Sequence, residues 1–244
     1  MKIIIADNKI DLGEKAAAQG AAIINEAIMD HGKATIIIGT GASQFEMLSR
    51  LIDEKIDWTN VIVFHLDEYI GIPVTHPASF RKFLKERFLD KLPVGEFYYV
   101  NGETDPKKEC DRLGVLISGY PVDVAFIGIG ENGHIAFNDP PADFETDAAF
   151  IKVELDEACR RQQTSEGWFV AIEDVPPSAI TMSVKQILKS KNIICSVPDA
   201  RKARAVKNAV EGNISAQLPA TILQSHKATW LYLDKDSSSQ LKRT

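Results

Sequence analysis

The 244-residue sequence predicts a single α/β domain with a mostly parallel sheet and helices on both of its faces. Two observations carry that prediction. Apolar runs rich in Val and Ile alternate with segments of helical periodicity along nearly the whole chain, and the runs are near-continuous rather than alternating, as strands buried on both faces require. No low-complexity linker and no short repeat interrupts the pattern, and 45% hydrophobic content at this length supports a sizeable core, so residues 1–244 are expected to form one domain.

In chain order, Lys2–Ala6 reads as a strand, and Asp11–His31 carries Leu12, Ala16, Ile23, Ala27 and Ile28 at helical spacing before Gly32 closes it. Lys33–Gly39 is a second strand; after Thr40-Gly41-Ala42-Ser43 a helix from Gln44 to about Lys55 turns Phe45, Leu48, Leu51 and Ile52 inward. Asn60–Leu66 is a strand, Asp67-Glu68-Tyr69 and a Gly-Pro loop follow, and Ser79–Leu89 is an amphipathic helix. Phe97–Val100, a helix around Lys107–Gly119 and the strand Val122–Ile129 continue the alternation. Ala149–Leu155 and the Arg160–Gln163 region lead to a turn at Val175–Ser178 and the short strand Ile180–Ser183. The helix Val184–Ser190, the strand Asn192–Val197, the helix Ala200–Glu211 and the strand Thr229–Leu233 complete a doubly wound, Rossmann-like pattern. The polar tail Asp234–Thr244 is expected to fray, with a docked C-terminal helix as the alternative.

Composition narrows the function. A net charge of −6 and a pI near 5.4 disfavour a general nucleic-acid surface, while leaving room for a local basic pocket that binds an anionic metabolite. Cys110, Cys159 and Cys195 have neither the even count of a disulfide framework nor the spacing of a zinc site, which fits a reducing cytoplasm. The apolar run Met1–Ile5 is cut short by Asp7, so neither a signal peptide nor a membrane span is expected.

In sheets of this kind ligands gather at the C-terminal ends of strands, and the candidate residues all fall there. Gly128, Gly130 and Gly133 spell the G-x-G-x-x-G of a dinucleotide site, but Asn138-Asp139-Pro140-Pro141 ends any helix within two turns, so no nicotinamide or flavin cofactor is expected. What remains is a loop carrying His134, with Glu131 and Asn132 before it and Asp139 after it. Imidazole titrates near neutral pH and a carboxylate beside it fixes its tautomer. A satisfied loop histidine is the plain alternative. Thr40 to Ser43 offer two hydroxyls and several N–H groups to a phosphate monoester, or else form a tight turn with a Ser cap. Asp67 and Glu68 follow a buried strand, where a shielded carboxylate can have its pKa raised toward that of a working base. Lys202, early in its helix, is the late cation best placed to reach a phosphate, though basic runs of this kind are usually solvated.

Together these residues resemble the glucosamine-6-phosphate deaminase/isomerase family. The likeness spans nearly the whole chain and lies in Thr40-Gly41-Ala42-Ser43, in Leu66-Asp67-Glu68-Tyr69, in the long run Gly128–Pro140, and in Lys202-Ala203 with Val210-Glu211-Gly212. The resemblance implies a phosphosugar substrate and no cofactor or metal. It implies that His134 helps to open the sugar ring, and that Asp67 moves a proton from C2 to C1. Imine hydrolysis would then release ammonia and leave fructose 6-phosphate. It also assigns phosphate binding to Thr40, Gly41, Ala42, Ser43 and Lys202, with Glu68 beside Asp67 among the substrate-binding candidates. Asp139 stands where the family has Glu as the histidine's partner. Asn132 stands where the family has Asp, which leaves the imidazole one charge partner in place of two. The family's phosphate-binding arginine is absent before Trp168-Phe169, and Arg160 or Arg161 is the expected substitute. Two alternatives are a 6-phosphogluconolactonase and a non-catalytic sugar-phosphate-binding paralogue. The lactonase pattern has Asp-Glu-Arg at 67–69 and Ala-Ser at 136–137, unlike this chain. The sequence leaves a homo-oligomer open.

Overall fold

The computed structural model describes residues 1–242. Its strands are β1 (Lys2–Ala6), β2 (Ala34–Ile38), β3 (Val61–His65), β4 (Asp67–Tyr69), β5 (Glu96–Tyr98), β6 (Val124–Ile127), β7 (Phe150–Glu154), β8 (Ser178–Met182), β9 (Asn192–Val197) and β10 (Thr229–Asp234). The α-helices are α1 (Lys9–His31), α2 (Phe45–Leu51), α3 (Phe80–Arg87), α4 (Pro106–Ser118), α5 (Glu157–Ser165), α6 (Val184–Leu188) and α7 (Ala203–Glu211).

Seven strands form one sheet in the order β1-β10-β9-β6-β2-β3-β5, every pairing parallel. Successive side chains of a strand enter opposite faces, so each central strand feeds two cores. Ile37, Ile62 and Phe64 pack on one face with Leu113, Ile187 and Val206, while Ile36, Ile38, Val61 and Val63 pack on the other against α1 and α2. The expected α/β class and two-sided covering are therefore present.

The strand order locates the ligand crevice. From β2 the chain winds outward through β3 and β5, and from β6 it winds the opposite way through β9 and β10. The direction reverses between β2 and β6, which are hydrogen-bonded neighbours. At such a switch point the loops leaving two adjacent strands part and open a crevice. Those loops are Gly39–Ser43 after β2 and Gly128–Asp139 after β6.

Three features differ from expectation. Asp67-Glu68-Tyr69 is a strand and not a loop: it pairs antiparallel with β8, which pairs antiparallel with β7, making a second, three-stranded sheet. Its pairing partners lie more than a hundred residues away, so no local periodicity announces it. The expected helices from Gln44 and from Ala200 begin as short 3₁₀ turns, Ala42–Gln44 and Ala200–Lys202, and the first ends at Leu51. The tail is seated rather than frayed through Lys242. Ser237 is buried and donates its N–H to Asp234, Leu241 packs on the core, and the Lys242 N–H meets Glu211. The rest of the expected tail, 243–244, lies outside the described residues.

Candidate active site

Between the two switch-point loops lies a cleft, part of it open to solvent. It is lined by Gly39–Gln44, Asp67, Gly128–Gly130, His134, Ala136, Phe137, Gln162, Gln163, Glu166 and Lys202. The structure thus gathers Thr40, Gly41, Ala42, Ser43, Asp67, His134 and Lys202 from four separate stretches of chain. Thr40 Oγ1 is buried without a hydrogen-bond partner, which marks a hydroxyl available to a ligand.

Asp67 enters the cleft from β4. Its neighbour Glu68 points to the other side of the strand, as alternation demands. There Glu68 accepts hydrogen bonds from Ser79 Oγ, Phe80 N, Arg81 N and Arg81 Nε. Glu68 is therefore a buried anchor for the start of α3 and does not line the cleft. Asp67 has no such partners. Burial, reinforced by the nearby Glu68 charge, pushes its pKa up to about 8. Two adjacent carboxylic acids are separated in role by pleat alone.

His134 rides on the loop after β6. Gly130 makes room for it: a Cβ there would come within 2.2 Å of the imidazole, so the ring lies directly on the backbone. The loop opens no helix. Gly133 turns back with a φ of 89° and Ala136 holds a φ of 52°. Asn138 Nδ2 donates to Ile135 O and Met182 O, and Phe137 N donates to Thr181 Oγ1, which fixes the loop on β8. A non-Gly residue at positive φ is strained and persists only where such bonds over-determine it.

Behind the imidazole, Asp139 Oδ1 lies 3.0 Å from His134 Nδ1. Burial opposes the Asp139 charge, but the imidazole, the Asn132 amide and the Asp156 N–H outweigh it and hold the carboxyl below its ordinary value. Asn132 makes no hydrogen bond to the ring. Its Nδ2 donates to Asp139 Oδ1 at 3.0 Å and to Asp156 Oδ2 at 3.2 Å, while its Oδ1 accepts the His134 N–H. The side-chain amide is a bridge between two carboxylates. Asp156, which also caps α5 through Cys159 N, is a participant that the sequence pattern did not reveal.

His134, Asp139 and Cys159 bring three ligand-type atoms within 4.8 Å of one another. Burial and the flanking aspartates push the Cys159 thiol pKa up.

At the far end, Lys202 ends the 3₁₀ turn before α7. Asp199 starts that turn at a φ of 88°, held by bonds from its N–H to Asp234 and from Arg201 N to its own carboxylate. The Lys202 ammonium is buried and 3.6 Å from Glu166 Oε1. Burial lowers its pKa against the opposing pull of Glu166 and Glu131. The expected arginines do not join it. Arg160 donates to Ile172 O, and the exposed Arg161 pairs with Glu157 one turn earlier on α5. Neither lines the cleft, because the helical spacing that brings Gln162, Gln163 and Glu166 inward turns 160 and 161 away. Gln162, Gln163 and Glu166 are lining residues that sequence reasoning missed; the only available signal was their shared helical face.

The geometry has matching relatives. Residues 7–232 match the family model described as glucosamine-6-phosphate isomerases/6-phosphogluconolactonase. A glucosamine-6-phosphate deaminase of Bacillus cytotoxicus is 35% identical over 240 residues, covering 98% of this chain and 88% of the relative. One from Streptococcus pneumoniae is 33% identical over 244 residues and the full length of both chains. Among solved structures, a monomeric glucosamine-6-phosphate deaminase superposes with a TM-score of 0.89 at 30% identity, covering 98% of this chain and 99% of that one. A 6-phosphogluconolactonase from Shewanella baltica, at 21% identity and a TM-score of 0.79 over 96% of this chain and 97% of its own, shares the fold. By its sequence and by the site that its switch point builds, the chain belongs to the glucosamine-6-phosphate isomerase/6-phosphogluconolactonase family.

Proposed function

We propose that this chain converts glucosamine 6-phosphate and water to fructose 6-phosphate and ammonia. The observation that carries the proposal is Asp67, a buried carboxyl with a pKa pushed up to about 8, in the same cleft as His134 and its partner Asp139. A base whose pKa lies near the working pH combines a usable fraction of carboxylate with a strong pull on a carbon-bound proton. An amino-sugar ammonium in the cleft favours the carboxylate further, since an opposite charge lowers the pKa of an acid.

In the proposed sequence His134 donates a proton to the ring oxygen as the C1–O5 bond breaks and takes up the C1 hydroxyl proton in exchange, giving the aldehyde. Asp67 takes the C2 proton while the substrate ammonium passes one of its protons to the C1 oxygen, forming a neutral enolamine. Asp67 returns its proton to C1, which leaves an imine at C2. Water adds, the C2–N bond breaks, and ammonia leaves behind the C2 ketone. Asp139 holds the imidazole in orientation, and Thr40–Ser43 with Lys202 bind the phosphate.

Among the described residues no helix is long and apolar enough to cross a membrane. The three cysteines are free, which supports the cytoplasm as the compartment. The test is purified protein with glucosamine 6-phosphate, followed for both products. Ammonia and fructose 6-phosphate should appear one for one; hydrolysis of a sugar lactone with no ammonia from the amino sugar would overturn the proposal.

A further inference from the structure

The distal end of the cleft is not simply basic. Glu166, 5% exposed, faces Lys202, 6% exposed, across 3.6 Å. It is fastened independently of that lysine: Gln162 Nε2 donates to Oε1 at 2.8 Å and Trp168 Nε1 to Oε2 at 3.2 Å. Gln162 is itself held, because its Oε1 accepts the Glu131 N–H at 2.8 Å. Glu166 is also the C-cap of α5, where the helix dipole disfavours a negative charge. A buried carboxylate in that position is costly, and neutral donors pin it inside the cleft.

We propose that Glu166 is a specificity-determining residue that weakens the hold on a phosphate dianion and offers an acceptor to an uncharged hydroxyl at the same place. It thereby narrows the preference for a phosphorylated amino sugar over the unphosphorylated one. The inference rests on the amino-sugar reading of the cleft and names what its distal end discriminates. A phosphate drawn to Lys202 does not release Glu166, since both carboxylate oxygens keep their neutral donors. The two anions then sit side by side in a poorly solvated pocket, where repulsion at such range is worth a tenfold change in affinity or more. A hydroxyl finds Lys202 as donor and Glu166 as acceptor, with no repulsion.

The experiment measures, by calorimetry, the affinities of 2-amino-2-deoxyglucitol 6-phosphate and 2-amino-2-deoxyglucitol for the wild type and for Glu166→Gln. The glutamine keeps the shape and removes the charge. The phosphorylated analogue should bind about tenfold tighter or more to the variant, with the unphosphorylated one unchanged or weaker, so that the ratio widens. In turnover, KM for glucosamine 6-phosphate should fall with kcat held within about threefold. An unchanged or narrowed ratio overturns the proposal and leaves Glu166 as a structural counter-ion. If Glu166→Gln melts early, Trp168→Phe, which frees one carboxylate oxygen, should widen the ratio in the same direction, and failure to do so overturns it equally. A wild type that releases no ammonia from either sugar sinks the amino-sugar reading, whereas the analogue ratio still reports on Glu166.

Discussion

The two ends of the cleft use a buried carboxylate in opposite ways. At the β4 end, Asp67 is given neither a cation nor a donor, and its proton affinity rises until it titrates near pH 8. At the α5 end, the Glu166 carboxylate is supplied with two neutral donors and a lysine, which hold it in place. Burial alone does not decide what an acid does; the company it keeps does. In our proposals one end moves a proton and the other sorts ligands by charge.

Removing Asp67 should break that contrast most severely. Asp67→Asn is expected to lower kcat by about two to four decades, the range of a positioned general base, while binding of a ring-opened analogue survives. Near-normal turnover would remove Asp67 from the mechanism. The same change carries a stability signature. Because the folded pKa is raised, the stability from the protonated carboxyl is complete below its ordinary value of 3.8 and is lost as pH rises through about 8. Asparagine has no proton to lose, so the melting temperature of the variant should gain on that of the wild type between about pH 5 and pH 9. A gap that stays constant would contradict the raised pKa.

Lys202→Ala probes the sorting end. Charge-assisted bonds are among the stronger ones, so KM for the phosphorylated substrate should rise roughly ten- to a hundredfold with kcat much less affected. An unchanged KM would show that the phosphate lies elsewhere. Asn132→Asp is expected to act through the protein rather than the ring: it removes the bridging donor and sets three carboxylates together, at a cost of about 1–3 kcal/mol. Thermal melts read this directly, and a stable variant whose His134 limb in the pH profile simply moves upward would restore the view that residue 132 tunes the imidazole. The smallest effect belongs to Arg161→Ala, which should change KM and stability within error, since its ion pair is exposed.

Sequence patterns were most informative where structure is local. The strand Asn192–Val197 is found at its expected bounds, and the Thr40–Ser43 and Gly128–Asp139 loops line the crevice because strand ends and glycine clusters mark them. What escaped is non-local. The pairing of Asp67-Glu68-Tyr69 with β8 gives that polar triplet its strand form and splits Asp67 from Glu68. Arg160 and Arg161 looked like phosphate ligands by proximity in sequence, yet helix phase turns them away from the cleft and admits Gln162, Gln163 and Glu166. Asn132 looked like a weakened charge partner of His134; its two amide hydrogens in fact reach Asp139 and Asp156, and Asp156 lies far along the chain.

The central claim is that Asp67 is a base kept uncharged until substrate or rising pH draws its proton away. Carbon-13 NMR of aspartate-labelled protein, with Asp67→Asn identifying the resonance, measures it without any ligand. The carboxyl carbon of Asp67 should titrate with a midpoint near pH 8. A midpoint below about 5, in the range of an ordinary aspartate, would contradict the account.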